Sequence, residues 1–258
     1  MRNRTNVPEL DSIIDPERIR TIHEKNPFKK VSDIVYEMLE EAILVSALEA
    51  GTKLNASRIA DRLQISSTPV VSAIQQLVTD GFLVEKGGEN GRYKSYHVFD
   101  ITNSELVDLF SARRAIECEA AEACAIRHSL IDTDSLEKLA EDFQQGIRKY
   151  ADNLGRADAL LRPDLDIEFH ALIAQQSDNK YLLKMYEAFS PMLRYASVRT
   201  CEFAAPETDP DIFVVLSSQH NAIIEAIKSG VPAAARSAMQ IHIKYSMQVA
   251  LINRRNNK

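Results

Sequence analysis

Apolar residues recur every three or four positions along most of the chain, which is the spacing of amphipathic helices. In the first hundred residues this pattern predicts three helices: one before Gly51, one over Ala56–Leu63, and one that starts near Pro69 and stops at Asp80-Gly81. Two short β-type runs, 82–84 and 96–99, then flank a turn-rich segment of Gly, Glu and Asn. Three helices followed by a hairpin is the order of a winged helix-turn-helix.

The second half of the sequence contains no convincing strand. Its spacing predicts helices over roughly 104–128, 133–150, 155–177, 179–203, 211–229 and 232–252. Pro163 and Pro232 are expected in the first turn of the helices that carry residues 166 and 242. Six helices without strands indicate a bundle. The predicted fold class is therefore mainly α: an N-terminal winged helix-turn-helix followed by an all-helical bundle.

The same pattern divides the chain into three segments. Residues 1–27 are a polar, weakly patterned extension, which we expect to be a mobile tail or an added short helix. Residues 28–100 are predicted to form the winged helix-turn-helix domain, and residues 104–252 the helical domain. Because the link between the two domains is short, we expect them to be mechanically coupled.

Composition narrows the class of protein. The chain has 258 residues, 45% hydrophobic and 26% charged, which suits two soluble globular domains. It has neither a run of 18 apolar residues nor a signal-peptide pattern, so we expect a cytoplasmic protein without a membrane partner. The net charge is −6. Any contact with DNA is therefore expected to depend on a few local groups and on two copies acting together.

Polar side chains mark the start of the second helix of the helix-turn-helix. In such motifs this helix lies in the major groove, with its first residues at the base edges. Arg58 and Arg62 on the preceding helix, with Arg92 and Lys94 on the wing, are candidate phosphate contacts. The alternative is that the hydroxyl groups only cap the helix. The residues expected at the DNA are Ser66, Ser67, Thr68, Val71, Ser72 and Gln75.

These residues carry a family resemblance. The pieces Gly51-Thr-Lys-Leu54, Ile59-Ala-Asp-Arg-Leu-Gln-Ile-Ser-Ser-Thr-Pro-Val70 and Asp80-Gly-Phe-Leu83 resemble the winged helix of the GntR superfamily. The resemblance implies a homodimer that binds double-stranded operator DNA. The family commonly has arginines at the positions of Ser67 and Val71. Their absence does not change the expected fold, but we expect the operator sequence and the affinity for it to differ from those usual in the family.

The second half contains candidate metal ligands. Asp166 and His170 are four residues apart, so they share one face of a helix, and His220 and His242 lie within apolar helical patterns. Imidazole and carboxylate groups suit Zn, Ni or Mn, and converging helices of a bundle often build such sites. The alternatives remain open: a histidine satisfied within the core, and a surface hydrogen bond between Asp166 and His170.

Residues 104–252 resemble the C-terminal ligand-binding domain of FadR, the FCD domain. The matching pieces are Leu109-Phe-Ser-Ala-Arg-Arg-Ala-Ile-Glu117, Asp166-x3-His170 and the segments around His220 and His242. In that family an aspartate and three histidines bind one metal ion and the effectors are small carboxylates. The resemblance therefore implies that Asp166, His170, His220 and His242 are the ligands.

Two arginines are candidates for binding the effector. Arg113 falls where the FCD family often places an arginine facing the pocket, and a guanidinium there would pair with a carboxylate. The alternative is a helical salt bridge between Arg113 and Glu117. Arg194 is a second possible cation.

The sequence thus predicts a transcription regulator, not an enzyme, whose operator binding is controlled by a small organic acid at a metal site. One alternative is a metal-responsive repressor, for which the ion itself is the signal. A less favoured alternative is a metal-dependent hydrolase. The sequence identifies no base beside the ligands for that reaction, and Glu168 is expected to point away from them.

Overall fold

The computed structural model describes residues 13–87, 94–152, 156–203 and 211–255. The chain divides into two compact units, Met1–Asp100 and Ile101–Lys258. In the described ranges, helices dominate both units and all the strands belong to the first. The predicted mainly helical fold class is confirmed.

The first unit has the order of a winged helix-turn-helix. Its described elements are α1 (Pro16–Lys25), α2 (Val31–Leu44), β1 (Lys53–Leu54), α3 (Ala56–Leu63), α4 (Ser67–Thr79), β2 (Leu83–Gly87) and β3 (Lys94–Val98). The strands are antiparallel, and β3 lies between β1 and β2. The sequence pattern did not predict β1, because two residues are too few to show an alternation of apolar and polar positions.

Packing of α4 against α2 decides which side of α4 remains outside. The inward residues of α4 follow the 3,4 spacing of a helix and are fully buried: Val70, Ala73, Ile74 and Leu77. Helix α4 therefore presents its other face to solvent.

The preceding helix α3 begins at a standard cap, where the Asn55 side chain accepts a hydrogen bond of 3.1 Å from the Arg58 backbone N–H.

Residues 13–27 of the extension are part of the first unit, and their helix α1 packs against α2. Pro16 opens α1, and the Asp15 carboxylate caps the helix by accepting from the Glu17 backbone N–H at 3.0 Å. Ile13 and Ile14 are buried. Of the two structures expected for this extension, an added short helix is the one found in its described part; residues 1–12 lie outside the described ranges.

The second unit is a helical bundle built around its first helix. Its elements are α5 (Asn103–Ile126), a 3-10 turn (His128–Leu130), α6 (Thr133–Asp152), α7 (Arg156–Gln176), α8 (Lys180–Phe203), α9 (Asp211–Lys228) and α10 (Pro232–Arg255). Thr102 and Glu105 form a capping box at the start of α5, and this helix packs against α7, α8, α9 and α10. The predicted helix limits agree with these to within three residues.

The position expected for Pro163 within its helix was wrong. Pro163 does not open the helix that carries Asp166; it lies inside α7, which begins at Arg156. A proline within a helix removes one hydrogen bond and costs about 3 kcal/mol, so local preference favours a boundary there. Packing of α7 between α6 and α8 outweighs that preference. Pro232 is the first residue of α10, as predicted.

The turn between α9 and α10 provides a test of the fold. Gly230 has a left-handed backbone, with φ of +67°, and a Cβ at this position would lie 2.8 Å from His128 Nδ1. We expect Gly230→Ala to lower the free energy of unfolding by at least about 1–2 kcal/mol, from the backbone conformation alone. Urea denaturation measures this change. Gly87→Ala is the matched control, because a Cβ there meets no atom of the described residues within 4 Å. Equal stability of the two variants would contradict the described turn.

Candidate metal centre

Four side chains from three helices converge in the second unit. Asp166 and His170 come from α7, His220 from α9 and His242 from α10. Each offers one potential ligand atom, and the four atoms all lie within 4.8 Å of one another. The three histidines are fully buried, while Asp166 keeps 14% of its side-chain surface exposed. The sequence identified all four positions, and the structure brings them together.

The distances between these atoms suit a shared ion. His170 Nε2 lies 3.0 Å from His242 Nε2, His220 Nε2 lies 3.2 Å from Asp166 Oδ1, and His170 Nε2 lies 3.7 Å from the same oxygen. Two ligands that each bind a metal at about 2.1 Å are about 3.0 Å apart at a right angle and about 3.4 Å apart in a tetrahedron. Three nitrogens and one carboxylate oxygen are a donor set for a divalent transition metal.

Aromatic packing holds the imidazoles in place. The Phe169 ring lies 5.2 Å from the His170 ring and 4.4 Å from the His220 ring, between centroids. Phe143 on α6 contacts His220 edge-on at 4.9 Å. Helical spacing alone did not indicate that Phe169, one residue before His170, packs against two of the histidines.

The electrostatics favour the protonation states that a metal needs. Burial alone would raise the pKa of Asp166, but the charge of Arg113 and the imidazoles outweigh burial and hold that pKa well below its usual range. Burial lowers the pKa of His220 despite the opposing effect of Asp166. Burial and the other two histidines hold the pKa of His242 well below its usual value. An ionised carboxylate and neutral imidazoles are the forms that bind metals.

The cluster also contains buried polar atoms whose hydrogen bonding is incomplete. Both ring nitrogens of His220 are buried: Nδ1 has no hydrogen-bond partner among the described residues, and Nε2 lies 3.2 Å from Asp166 Oδ1 without the geometry of a hydrogen bond. Leaving a buried polar group unpaired costs about 1–3 kcal/mol. A metal ion bound at Nε2 would remove part of that cost. The donors, their spacing and this unpaired nitrogen therefore fit a metal ion.

A second layer of buried charge supports the cluster. Arg113 Nε donates to Glu117 Oε1 at 2.8 Å, and Arg113 Nη2 donates to Asp166 Oδ2 at 3.3 Å. The helical salt bridge considered as an alternative for Arg113 is therefore formed. It is fully buried, however, and it extends to one of the four candidate ligands. A role of Arg113 toward an effector stays a prediction.

Glu117 is a residue that the sequence reasoning left out of the site. Its Oε2 lies 2.7 Å from His170 Nδ1, but the geometry is not that of a hydrogen bond, and neither atom has another hydrogen-bond partner among the described residues. The sequence identified no base beside the ligands, whereas the structure places this carboxylate next to His170. The signal available in the sequence was a glutamate four residues after Arg113, inside an apolar stretch. Glu168, as expected, faces solvent.

Arg194, the second candidate for the effector, pairs with a carboxylate of the same unit. Its guanidinium contacts both oxygens of Asp164, with Nη2 at 3.1 Å from Oδ2. Its side chain is 24% exposed, in contrast to the buried Arg113. The role of Arg194 toward an effector stays a prediction.

The candidate DNA contacts lie on the first unit. Arg58 is exposed on α3, and Lys94 is exposed on β3, where it pairs with Glu85 at 3.0 Å. Arg92 lies outside the described residues. The Ser66 side chain makes no capping hydrogen bond at the start of α4, which removes part of the capping alternative. The remaining candidates are all exposed: Ser66, Ser67, Thr68, Ser72 and Gln75.

Arg62 has a partner that the sequence did not predict. Its Nε donates to the backbone carbonyl of Ile14 at 2.8 Å, in the extension ahead of α1. The phosphate contact expected of Arg62 would therefore have to leave room for this bond.

Among the described residues, no helix is both long enough and apolar enough to span a membrane.

Comparison with known families gives two matches. A model described as the FCD domain matches residues 108–245, which is more than half of the chain. A model described as bacterial regulatory proteins of the gntR family matches residues 31–90. The two matched segments lie in the second and the first unit, respectively.

Individual proteins are similar over most of the chain. A protein of Escherichia coli (strain K12), named for regulation of the L-lactate dehydrogenase operon, is 28% identical over 233 residues, covering 84% of this chain and 85% of that protein. The Nta operon transcriptional regulator of Aminobacter aminovorans is 28% identical over 146 residues, covering 57% of this chain and 63% of that protein. The solved structure of E. coli McbR/YncC superposes with a TM-score of 0.64 at 18% identity, covering 90% of this chain and all of that one, and so supports the fold.

The buried guanidinium can be tested without any metal. We expect Arg113→Ala to lower the free energy of unfolding of the metal-free protein by about 3–5 kcal/mol, because Glu117 and Asp166 lose their buried cation. Urea denaturation measures this loss, and Arg113→Lys should recover part of it. Arg194→Ala is the control, since its more exposed pair with Asp164 should contribute about 0–1 kcal/mol. Similar losses in both alanine variants would contradict this account.

Proposed function

Because the chain belongs to the gntR family of bacterial regulatory proteins, as a member with an FCD domain, and is thus a DNA-binding transcription regulator, we propose that a metal ion and a small carboxylate control its DNA binding. The observation that carries the proposal is the cluster of Asp166, His170, His220 and His242, with its ligand atoms within 4.8 Å of one another. An aspartate and three imidazoles suit Zn, Ni or Mn.

The effector would bind beside this cluster. A bound divalent ion would supply positive charge for a carboxylate, and Arg113, the buried cation in contact with Asp166, would supply more. Tyr186 lies near the buried charges of Arg113, Glu117 and Asp166. Burial and then the charge of Glu117 raise the pKa of Tyr186 well above its usual value, so its hydroxyl stays protonated. Since one relative is named for the L-lactate dehydrogenase operon, L-lactate is the first small carboxylate to test.

Control of DNA binding would run through α5. This helix begins at Asn103, soon after the end of the first unit, and it carries both Arg113 and Glu117. In a homodimer on operator DNA, a change in α5 would alter the spacing of the two copies of α4. The effector can shift the equilibrium between two such arrangements of the dimer only if it binds them with different affinity.

The number of protein ligands favours one second candidate function. Four ligands complete the tetrahedral shell that is typical of structural zinc, and a closed shell has no position for a carboxylate. In that case the ion itself would be the signal, and the protein would be a metal-responsive repressor. A hydrolase is not proposed, because Glu117, the carboxylate nearest an imidazole, is buried and already bonded to Arg113.

We expect acid to release the metal only below the pH range in which ordinary imidazoles take up a proton. Protons compete with a metal for the nitrogens of His220 and His242, and a lowered pKa means that competition begins at lower pH. We therefore expect the metal affinity to change little as the pH falls from 8 to about 6.5, the unperturbed imidazole value, and to decrease below it. Competition with a chelator of known pH dependence measures this. A steep loss of affinity already above pH 7 would contradict the proposed site.

The double variant Asp166→Ala/His170→Ala tests the proposed control. We expect it to lose metal affinity by more than the 10- to 100-fold typical of outer-shell partners, and to lose the effect of metal and L-lactate on DNA binding. DNA duplexes selected by the wild-type protein from a random pool serve as the probe. Glu168→Ala, exposed on the same helix, is the matched control and should keep both properties. An unchanged response in the double variant would remove the metal from the proposal, while DNA binding itself would stand.

A further inference from the structure

The outward face of α4 carries no charge. This helix, Ser67–Thr79, contains no Lys, Arg, Asp, Glu or His. Its inward residues are buried, and five outward residues near its start and middle are exposed to solvent. We call these five residues the reading face, because the second helix of a helix-turn-helix turns this side to the bases of the major groove. They are Ser67, Thr68, Val71, Ser72 and Gln75.

Val71 lies at the centre of the reading face. It is 38% exposed, whereas its neighbour Val70 is fully buried. Ser67, Val71 and Gln75 are four residues apart in sequence, so they form one column along the helix. A single exposed valine is ordinary on a protein surface. Here, however, it is the apolar member of a face that is otherwise made of hydroxyl and amide groups.

Gln75 is available for a partner outside the chain, but the adjacent Gln76 is not. The Gln76 amide donates to both oxygens of Asp80, at 3.0 and 3.1 Å, and Asp80 also accepts a hydrogen bond from the Tyr36 hydroxyl at 2.8 Å. The Gln75 side chain, by contrast, makes no hydrogen bond in the described part of the chain. Of these two glutamines, Gln75 is therefore the one that can read a base.

The chemistry of this face limits what it can recognise. In the major groove, Arg and Lys read guanine and Asp and Glu read cytosine, and the reading face has none of these. The hydroxyl groups of Ser67, Thr68 and Ser72 can bond to any base, so they do not discriminate between base pairs. An amide reads adenine through N6 and N7, and an apolar side chain reads the methyl group of thymine. We propose that α4 reads A·T base pairs, with Val71 against a thymine methyl group and Gln75 on an adenine. The proposal assigns no guanine-specific contact to α4.

The proposal concerns the DNA-binding unit alone. It depends on the membership in the gntR family and on the exposure of α4, and it needs neither a metal ion nor an effector. Loss of the proposed metal control would therefore leave it intact, and its own failure would leave the metal proposal intact.

Selection from a random pool of DNA duplexes by the full-length protein is the first experiment. We expect the enriched half-sites to contain A·T pairs at the positions that α4 contacts. Replacing the adenine read by Gln75 with guanine should weaken binding by about 5- to 150-fold, and Gln75→Ala should remove most of that discrimination. Enriched sites in which Gln75→Ala changes selectivity at a G·C pair would overturn the proposal, as would a pool without enrichment.

Removal of single methyl groups is the second experiment. Each thymine of a selected duplex is replaced in turn by deoxyuridine, and affinities are compared by fluorescence anisotropy. With the wild-type protein, one position per half-site should lose about fourfold, the effect of one buried methyl group. Val71→Thr keeps a methyl group and should keep this loss, whereas Val71→Ser should bind the two duplexes equally.

Val107→Ser is the matched control for this comparison. Val107 is 38% exposed, the same fraction as Val71, but it lies on α5 in the other unit. This variant should show the wild-type ratio between thymine and deoxyuridine duplexes, whatever its overall affinity. If Val71→Ser retains the wild-type ratio, or if no deoxyuridine substitution affects the wild-type protein, Val71 does not read thymine and the proposal is wrong.

Discussion

One guanidinium allows the centre of the helical unit to hold two carboxylates largely away from water. Moving an ionised carboxylate into a protein interior costs several kcal/mol unless a cation and hydrogen bonds compensate for it. Arg113 compensates for both Glu117 and Asp166 at once, with one nitrogen toward each. Because Asp166 stays ionised, it can direct its other oxygen, Oδ1, to His220 and His170. The arrangement of the four candidate ligands thus depends on Arg113, which is not itself a candidate ligand.

The local features of the fold were predictable from the sequence, and those that depend on packing were not. Apolar spacing gave the helix limits of the second unit to within three residues. It gave the shared face of Asp166 and His170 for the same reason, because both follow from the geometry of one helix. The convergence of His220 and His242 on that face was expected only from a family resemblance, since helical spacing contains no information on how α9 and α10 meet α7. Pro163 was misjudged because its local preference lost to packing.

Interactions between distant segments account for the residues that the sequence reasoning missed. Glu117 was considered only as the helical partner of Arg113, whereas its second oxygen faces His170 from another helix. Arg62 was expected at the DNA backbone, but its Nε is bonded to the carbonyl of Ile14, 48 residues earlier. In both cases the side chain was named from the sequence. The partner was missed, because a backbone carbonyl or a carboxylate brought by another element leaves no mark in the local pattern.

The predominance of imidazole in the cluster bears on which ion the cell would provide. Nitrogen-rich sites hold first-row divalent ions with affinities that rise from manganese to copper and then fall at zinc. The affinities of this cluster for these ions would follow much the same order. Occupancy inside a cell then follows the free concentration of each ion, which homeostasis sets far lower for the strongest binders. The ion recovered from an overexpressed preparation would report the growth medium, and the physiological ion would be the one that the organism buffers near the dissociation constant.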